Sequence, residues 1–195
     1  MTDAPNRIGL ALTGSYCTFD KALAAAERLA ETYDLTAILS ERAAATDTRF
    51  GAAAAHIARL EAITGKPVLR SIAEAEPIGP EGRFDLLVVA PCTGNTLAKL
   101  AAGVTDGAVT MAVKSHLRTG RNVVLAFGSN DGLAASARNL GELLNRKQYY
   151  FVPLYQDAPF VKPRSLASDY ARLEDAIRAA LRGEQIQPIL TAPAP

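Results

Sequence analysis

Short apolar runs recur along the chain: IGLAL at 8–12, LTAIL at 35–39, LLVVA at 86–90, VVLAF at 123–127 and YYFVP at 149–153. None alternates polar with apolar positions, so each predicts a strand buried on both faces. The stretches between them carry a different period. Leu23, Ala26, Ala30 and Tyr33 recur at steps of three and four, as do Leu166, Tyr170, Leu173, Ile177 and Leu181, the spacing of one apolar helix face. Strands alternating with amphipathic helices imply right-handed βαβ crossovers and a parallel sheet covered on both sides. The expected fold class is α/β, a doubly wound parallel sheet in three layers, Rossmann-like in outline.

Two stretches resist regular structure in this reading, SERAAATDTRFG at 40–51 and PLYQDAPFVKPRS at 153–165, the second with three prolines. Loops of about a dozen residues are uncommon in compact domains and are either functional or disordered. The length of 195 residues suits one domain, expected over 1–190, with TAPAP (191–195) as a disordered tail. An apolar fraction of 49% and a charged fraction of 21% are those of an ordinary globular protein. A net charge of +1 with no basic run gives no footprint for nucleic acid or an anionic membrane. The opening MTDAPNR lacks the apolar centre of a signal peptide, and no run approaches the roughly 20 residues of a membrane span, so a cytoplasmic location is expected. Cys17 and Cys92 are read as free thiols, and no metal ligands are assigned.

Ligands of doubly wound sheets bind outside the carboxyl ends of the strands. The first such end reads Thr13, Gly14, Ser15, Tyr16, Cys17, Thr18, with a helix from near Asp20. A flexible glycine, hydroxyl donors and a helix N-terminus together suit a phosphate, although any βα turn of this fold favours small residues there. The dinucleotide pattern fails because Gly9 and Gly14 have no third glycine in register, and the triphosphate loop fails because Ser15 stands where Lys is required. A mononucleotide phosphate fits better. After the third run, Pro91 is expected to end the strand, Gly94 to permit a tight turn, Asn95 to present a donor and an acceptor, and Thr96 to cap the helix that carries Lys99 and Leu100. A polar elbow without a ligand is the competing reading.

The elbow PCTGNT followed by LAKLAAGVTD resembles the flavoprotein family that contains the homo-oligomeric, flavin-dependent cysteine decarboxylases, in which a Pro-x-x-x-Asn-Thr segment lies against FMN. Within that family the likeness is to the branch of dipicolinate synthase B subunits. It covers nearly the whole chain through IGLALTGSYCTFD, TDTRFG (46–51), EAEPIGP (74–80), QDAPFVKPRSL (156–166) and GEQIQPI. The resemblance implies a flavoprotein-like fold and a two-electron oxidation that aromatises a dihydrodipicolinate or hydroxytetrahydrodipicolinate to pyridine-2,6-dicarboxylate, the dipicolinic acid of spores. It also implies a partner, the A subunit of dipicolinate synthase, carrying NADP, together with FMN on this chain, a small dicarboxylate substrate and a homo-oligomer.

Carried over residue by residue, the family's phosphate site falls on Thr13, Gly14, Ser15 and Ser40, and its isoalloxazine and substrate side on Pro91, Thr93, Gly94, Asn95 and Thr96. The decarboxylases follow the next strand with a Met-Asn pair; this chain has Gly128, Ser129, Asn130 and Asp131, which speaks against cysteine decarboxylation. They also use a histidine on the helix after the second strand, for which His56 is the positional candidate, alongside a plain packing role; Asn95 and His56 are the catalytic candidates. His116, between Lys114 and Arg118, reads as a helix-surface residue. Arg49 is the candidate for a substrate carboxylate, because a guanidinium can grip one through two hydrogen bonds, while a solvated arginine or one paired with Asp47 is the alternative. Phe160, Lys162 and Arg164 mark the second irregular stretch as a lid or an interface. Three classes stay open: a catalytic synthase subunit, an accessory subunit with an empty nucleotide cleft, and a flavin-dependent decarboxylase.

Overall fold

The computed structural model describes residues 4–192, and all five apolar runs form strands in it. They are β1 (Arg7–Leu12), β2 (Asp34–Leu39), β3 (Leu86–Thr93), β4 (Val123–Gly128) and β5 (Tyr149–Phe151). All pair in parallel in the order β2-β1-β3-β4-β5. Helix α1 (Phe19–Ala30) follows β1. Helices α2 (Glu41–Ala45), α3 (Ala53–Thr64) and α4 (Ile72–Ala75) separate β2 from β3, and α5 (Gly94–Ala102) and α6 (Ala108–Leu117) separate β3 from β4. Helix α7 (Ala135–Leu144) precedes β5, a short antiparallel ribbon joins β6 (Leu154–Tyr155) to β7 (Ala167–Ser168), and α8 (Leu173–Leu181) follows.

The absence of alternation in the strands is explained by where their side chains go. Successive residues of a strand point to opposite faces, and here both faces are covered. Ile8, Leu10 and Leu12, with Leu86, Val88 and Ala90, pack beneath α1 and α8. Ala11, Leu87 and Val89 pack on the other side against residues of α5, α6 and α7. Each fully buried Leu, Ile, Val or Phe stabilises the fold by roughly 1.5–3 kcal/mol, so the two clusters fix the strand register.

Several expectations change. Residues 40–51 are not irregular throughout: Ser40 caps α2 by accepting the Ala43 N–H at 3.3 Å, because a Ser followed by Glu-Arg-Ala supplies both cap and helix formers. Within 153–165 the chain forms β6 before its loop. Strand β3 does not stop at Pro91 but shifts register between Val89 and Cys92 and continues to Thr93 beside β4. The cap of α5 is Thr93, not Thr96: its Oγ1 accepts the Thr96 N–H at 3.1 Å. Leu166 lies outside the final helix and bridges Ser129 instead. Thr191 donates its N–H to Leu154 at 2.9 Å, and residues 193–195 of the expected tail lie outside the described residues. Among the described residues no helix is long and apolar enough to cross a membrane.

His116 is a further correction, for its side chain is fully buried. Its Nε2 sits 3.0 Å from the Asn122 carbonyl, and burial pushes its pKa down to about 4 from 6.5. The folded state therefore holds a neutral imidazole, while the unfolded chain takes up a proton near pH 6.5. Stability is fully present above that pH and declines as pH falls towards 4, by the order of 2–3 kcal/mol. Chemical denaturation of the protein at stepped pH is expected to reveal this loss, and His116→Gln to flatten the profile across the same window.

Candidate functional site

The order β2-β1-β3-β4-β5 reverses direction between β1 and β3, and a crevice opens outside the carboxyl ends of the strands at such a point. Here the two strand ends are tied together. The Thr13 Oγ1 hydroxyl donates to the Pro91 carbonyl at 2.8 Å and accepts the Thr93 N–H at 3.1 Å, while the Thr13 N–H also donates to Pro91 at 3.2 Å. Thr13 is 1% exposed, so these bonds are shielded from water. The latch sets where the elbow starts, and from it the Thr93 hydroxyl donates to Thr96 Oγ1 at 3.0 Å as α5 begins. Thr13→Val preserves the shape and leaves the Thr93 N–H without its acceptor. The expected cost is about 1–3 kcal/mol, readable as a lower denaturation midpoint that Thr13→Ser restores.

Beside the latch lies a cleft of about 590 Å³, within the roughly 300–1,000 Å³ typical of ligand sites. Thr13, Gly14, Ser40, Thr93, Asn95 and Thr96 line it, so six of the predicted positions come together from three separate strand ends. Asn95 is exposed there and its side chain makes no hydrogen bond within the described protein. The Ser40 hydroxyl oxygen accepts from the α2 backbone, leaving its proton available to a ligand.

The other predicted positions lie elsewhere. Ser15 and Pro91 line a separate small cavity beyond the latch. Gly94 packs against the loop after β4: a Cβ added there would stand 2.8 Å from Ser136 Oγ and 3.2 Å from Ser129 Oγ. That loop is organised by Asp131, whose carboxylate accepts from Ser129 and, at 2.8 Å, from Ser136, which holds its pKa below the usual carboxylate value. His56 is buried under the 48–51 turn, edge-on to Phe19 with ring centroids 4.9 Å apart, and outside the cleft lining. Arg49 is exposed, its guanidinium 4.8 Å from the Phe50 ring centre, and also outside the lining. Its suggested partner Asp47 instead accepts the Ala53 N–H at the start of α3, at 2.8 Å.

Sequence reasoning missed the far wall of the cleft: Glu41, Arg42, Asp106, Gly107, Val109 and Thr110. Glu41 reaches across 67 residues to accept the Ala108 N–H at 2.7 Å, capping α6 with a carboxylate that its positive end favours. Lys99 binds both carboxylate oxygens of Asp106, at 2.9 and 2.8 Å, and lowers the Asp106 pKa. Both acidic groups of the lining are thus committed, whereas Arg42 has no ion-pair partner among the described residues. The Lys99–Asp106 pair was accessible from spacing, since both flank the same helix end; the Glu41–Ala108 contact carried no local signal.

This topology with a polar crevice at the β1/β3 edge defines an α/β protein of the flavodoxin-like architecture. The chain belongs to the Flavoprotein family, whose profile matches residues 1–163. More particularly, it is 40% identical over 185 residues to the B subunit of dipicolinate synthase from Bacillus subtilis (strain 168), covering 94% of this chain and 92% of that protein. The crystal structure of the corresponding B subunit from Bacillus halodurans superposes with a TM-score of 0.90 at 39% identity, over 100% of each chain. The FMN-dependent cysteine decarboxylase SpaF shares the fold more distantly, with a TM-score of 0.68 at 21% identity, over 91% of this chain and 95% of SpaF.

Proposed function

We propose that the protein is the B subunit of a dipicolinate synthase, acting in the cytoplasm with an A subunit that carries NADP to oxidise a dihydrodipicolinate or hydroxytetrahydrodipicolinate to pyridine-2,6-dicarboxylate for spores. The observation that carries this reading is the 40% identity running through nearly the full length of both chains. The polar cleft at the β1/β3 edge supports it. We assign FMN to that cleft, and the residues present fit it: the Ser40 hydroxyl, the free Asn95 amide, the Arg42 guanidinium and the N-terminal end of α5, with both nearby carboxylates already bonded. When bound, FMN supplies two-electron redox chemistry. The protein's own part is to hold the phosphate with the Gly14 backbone, the Ser40 hydroxyl and Arg42 and to orient the ring with Asn95, while the committed hydroxyls of Thr13, Thr93 and Thr96 fix the turn that presents them.

His56 and Arg49 both lie outside the cleft; His56 is buried against Phe19 in a packing role, and only the exposed Arg49 is free to act towards a neighbouring copy in a homo-oligomer. The Asp131 loop replaces the decarboxylases' Met-Asn pair with groups already bonded to one another, which favours the synthase over decarboxylation. Two measurements test the reading. FMN added to the purified protein is expected to bind at near one equivalent per chain, and dipicolinate is expected to form only when the A subunit is mixed with this chain. Dipicolinate formation at the full rate by the A subunit on its own would end the catalytic assignment.

A further inference from the structure

A second cavity lies across the latch from the cleft. Ser15 and Thr18 after β1, Pro91 in β3, Phe127 and Gly128 at the end of β4, and Tyr155 and Ser168 of the ribbon enclose about 40 Å³. A water needs roughly 10–15 Å³ on this measure, so the space takes two or three waters or one carboxylate-sized group. Its position is the carboxyl edge of the sheet, where ligands of this architecture gather.

The polar side chains lining this cavity are hydroxyls and one ammonium, and the Ser168 hydroxyl is already bonded to the Phe127 carbonyl at 2.8 Å. Tyr170 lines the space, and its buried hydroxyl lies beside that of Thr18 without a hydrogen bond of good geometry to any described residue. The Thr18 hydroxyl beside it donates instead to the Ser15 carbonyl at 2.7 Å. An unpaired buried hydroxyl costs about 1–3 kcal/mol, which a ligand recovers by accepting from it. Burial also raises the Tyr170 pKa, so the group remains a donor at every physiological pH. Ser15 Oγ is uncommitted among the described residues, and Lys21, at the rim, has no ion-pair partner among them. No described carboxylate lines the cavity. The larger cleft, by contrast, carries Glu41 and Asp106. A hydroxyl kept protonated, a second free hydroxyl and a cation, with no acid opposing them, select an oxyanion.

We infer that this cavity is a carboxylate subsite, in which Tyr170 and Ser15 donate to one carboxylate of a small dicarboxylate and Lys21 closes over it from the rim. The assignment names the substrate end of the site and rests on the synthase reading. Occupation of the subsite leaves the remainder of the ligand beside Pro91, next to the cleft assigned to FMN. Ser15 and Pro91, which fall outside that cleft, thereby acquire a role on the substrate side.

The shared chemistry is an oxyanion, so the test separates a carboxylate from a phosphate. Calorimetric titration of the purified full chain with pyridine-2,6-dicarboxylate, pyridine-2-carboxylate, inorganic phosphate and FMN is made on the native protein, Tyr170→Phe and Lys21→Met. Loss of one charge-assisted hydrogen bond is worth roughly tenfold, so each substitution is expected to weaken pyridine-2,6-dicarboxylate at least tenfold while FMN affinity stays within about twofold. Thermal melts check that both variants fold. Unchanged carboxylate binding in both folded variants, or no carboxylate binding by the native protein, overturns the subsite. Weakening of FMN or phosphate in place of the carboxylates overturns it too, because the cavity then serves the cofactor. Pyridine-2-carboxylate binding that depends on Tyr170 and Lys21, without affinity for the dicarboxylate, upholds the subsite and removes the synthase reading. The synthase reading is scored separately by dipicolinate formation in the presence of the A subunit.

Discussion

Replacement of Asn95 by Ala is expected to leave the fold intact and to remove most of the affinity for FMN. The side chain is exposed at the mouth of the cleft and bonds to nothing else in the described protein, so its loss exposes no partner and opens no cavity. Surface substitutions of that kind stay within about 0.5 kcal/mol, or about 2 °C in Tm for a chain of this size. Function is a different matter, because an amide that folding leaves free offers both a donor and an acceptor to a ligand. Two hydrogen bonds to a flavin ring together contribute of the order of 1–3 kcal/mol, which corresponds to a weakening of about 5- to 150-fold. Fluorescence titration with FMN reads the affinity, and a melt on the same sample reads the fold. Unchanged FMN affinity in a well-folded Asn95→Ala would make the elbow a purely structural turn.

The contrast between Asn95 and its neighbours explains how far the sequence could be read. Thr93 and Thr96 look like ligand-binding residues in PCTGNT, yet their hydroxyls bond to each other and to the start of α5. Composition cannot separate these roles, because Thr serves as cap and as ligand donor with the same atoms. The sheet was legible because a parallel strand covered on both faces must be apolar at every position, a signal contained within five residues. The site was legible only in part. Its near wall lies immediately after strands and follows from the architecture, whereas its far wall depends on Glu41 meeting Ala108, a contact 67 residues apart. Arg49 and His56 fall outside the cleft for a related reason. TDTRFG serves the start of α3 through Asp47 and closes a turn through the paired backbones of Thr48 and Gly51, so its distinctiveness in sequence reports local architecture as well as any chemistry.

Other recognisable stretches also have structural work. In GEQIQPI, the Gln185 amide accepts the Phe151 N–H at 2.7 Å and donates to the Phe151 carbonyl at 2.8 Å, so a side chain completes the hydrogen bonding of the edge strand β5. An unpaired edge invites association with another strand, and this cover removes part of it. In QDAPFVKPRSL, the Gln156 amide bonds Pro163 and Lys162 pairs with Asp157, closing the loop on itself and leaving Phe160 almost fully exposed.

Gly79→Ala, in EAEPIGP, is expected to be the most destabilising of the substitutions considered, with a cost of at least about 3 kcal/mol, and to weaken FMN as well. The backbone of Gly79 has a φ of −70°, which alanine adopts freely, so conformational freedom is not the reason for glycine. Contact is: an added Cβ would overlap the Ser115 carbonyl oxygen and stand 2.7 Å from its carbon. These are backbone atoms of α6, which can yield only if the helix moves. Such a shift also strains the Gly79 N–H bond to Ser115 Oγ at 2.9 Å and the Ser115 bond to Glu76 at 2.5 Å. The other end of α6 supplies Val109 and Thr110 to the cleft and is held there by Glu41. Displacement of this one rigid helix therefore reaches the cleft. Gly141→Ala in α7 provides the opposite case, for an added Cβ there meets nothing within 4 Å. Removing glycine from a helix then raises stability by about 0.5–1 kcal/mol. Paired denaturation and FMN titration of the two variants should give opposite signs in stability and a loss of affinity only for Gly79→Ala. Equal stability of the two would show that α6 is not braced through Ser115, and retained affinity in a destabilised Gly79→Ala would uncouple the brace from the cleft.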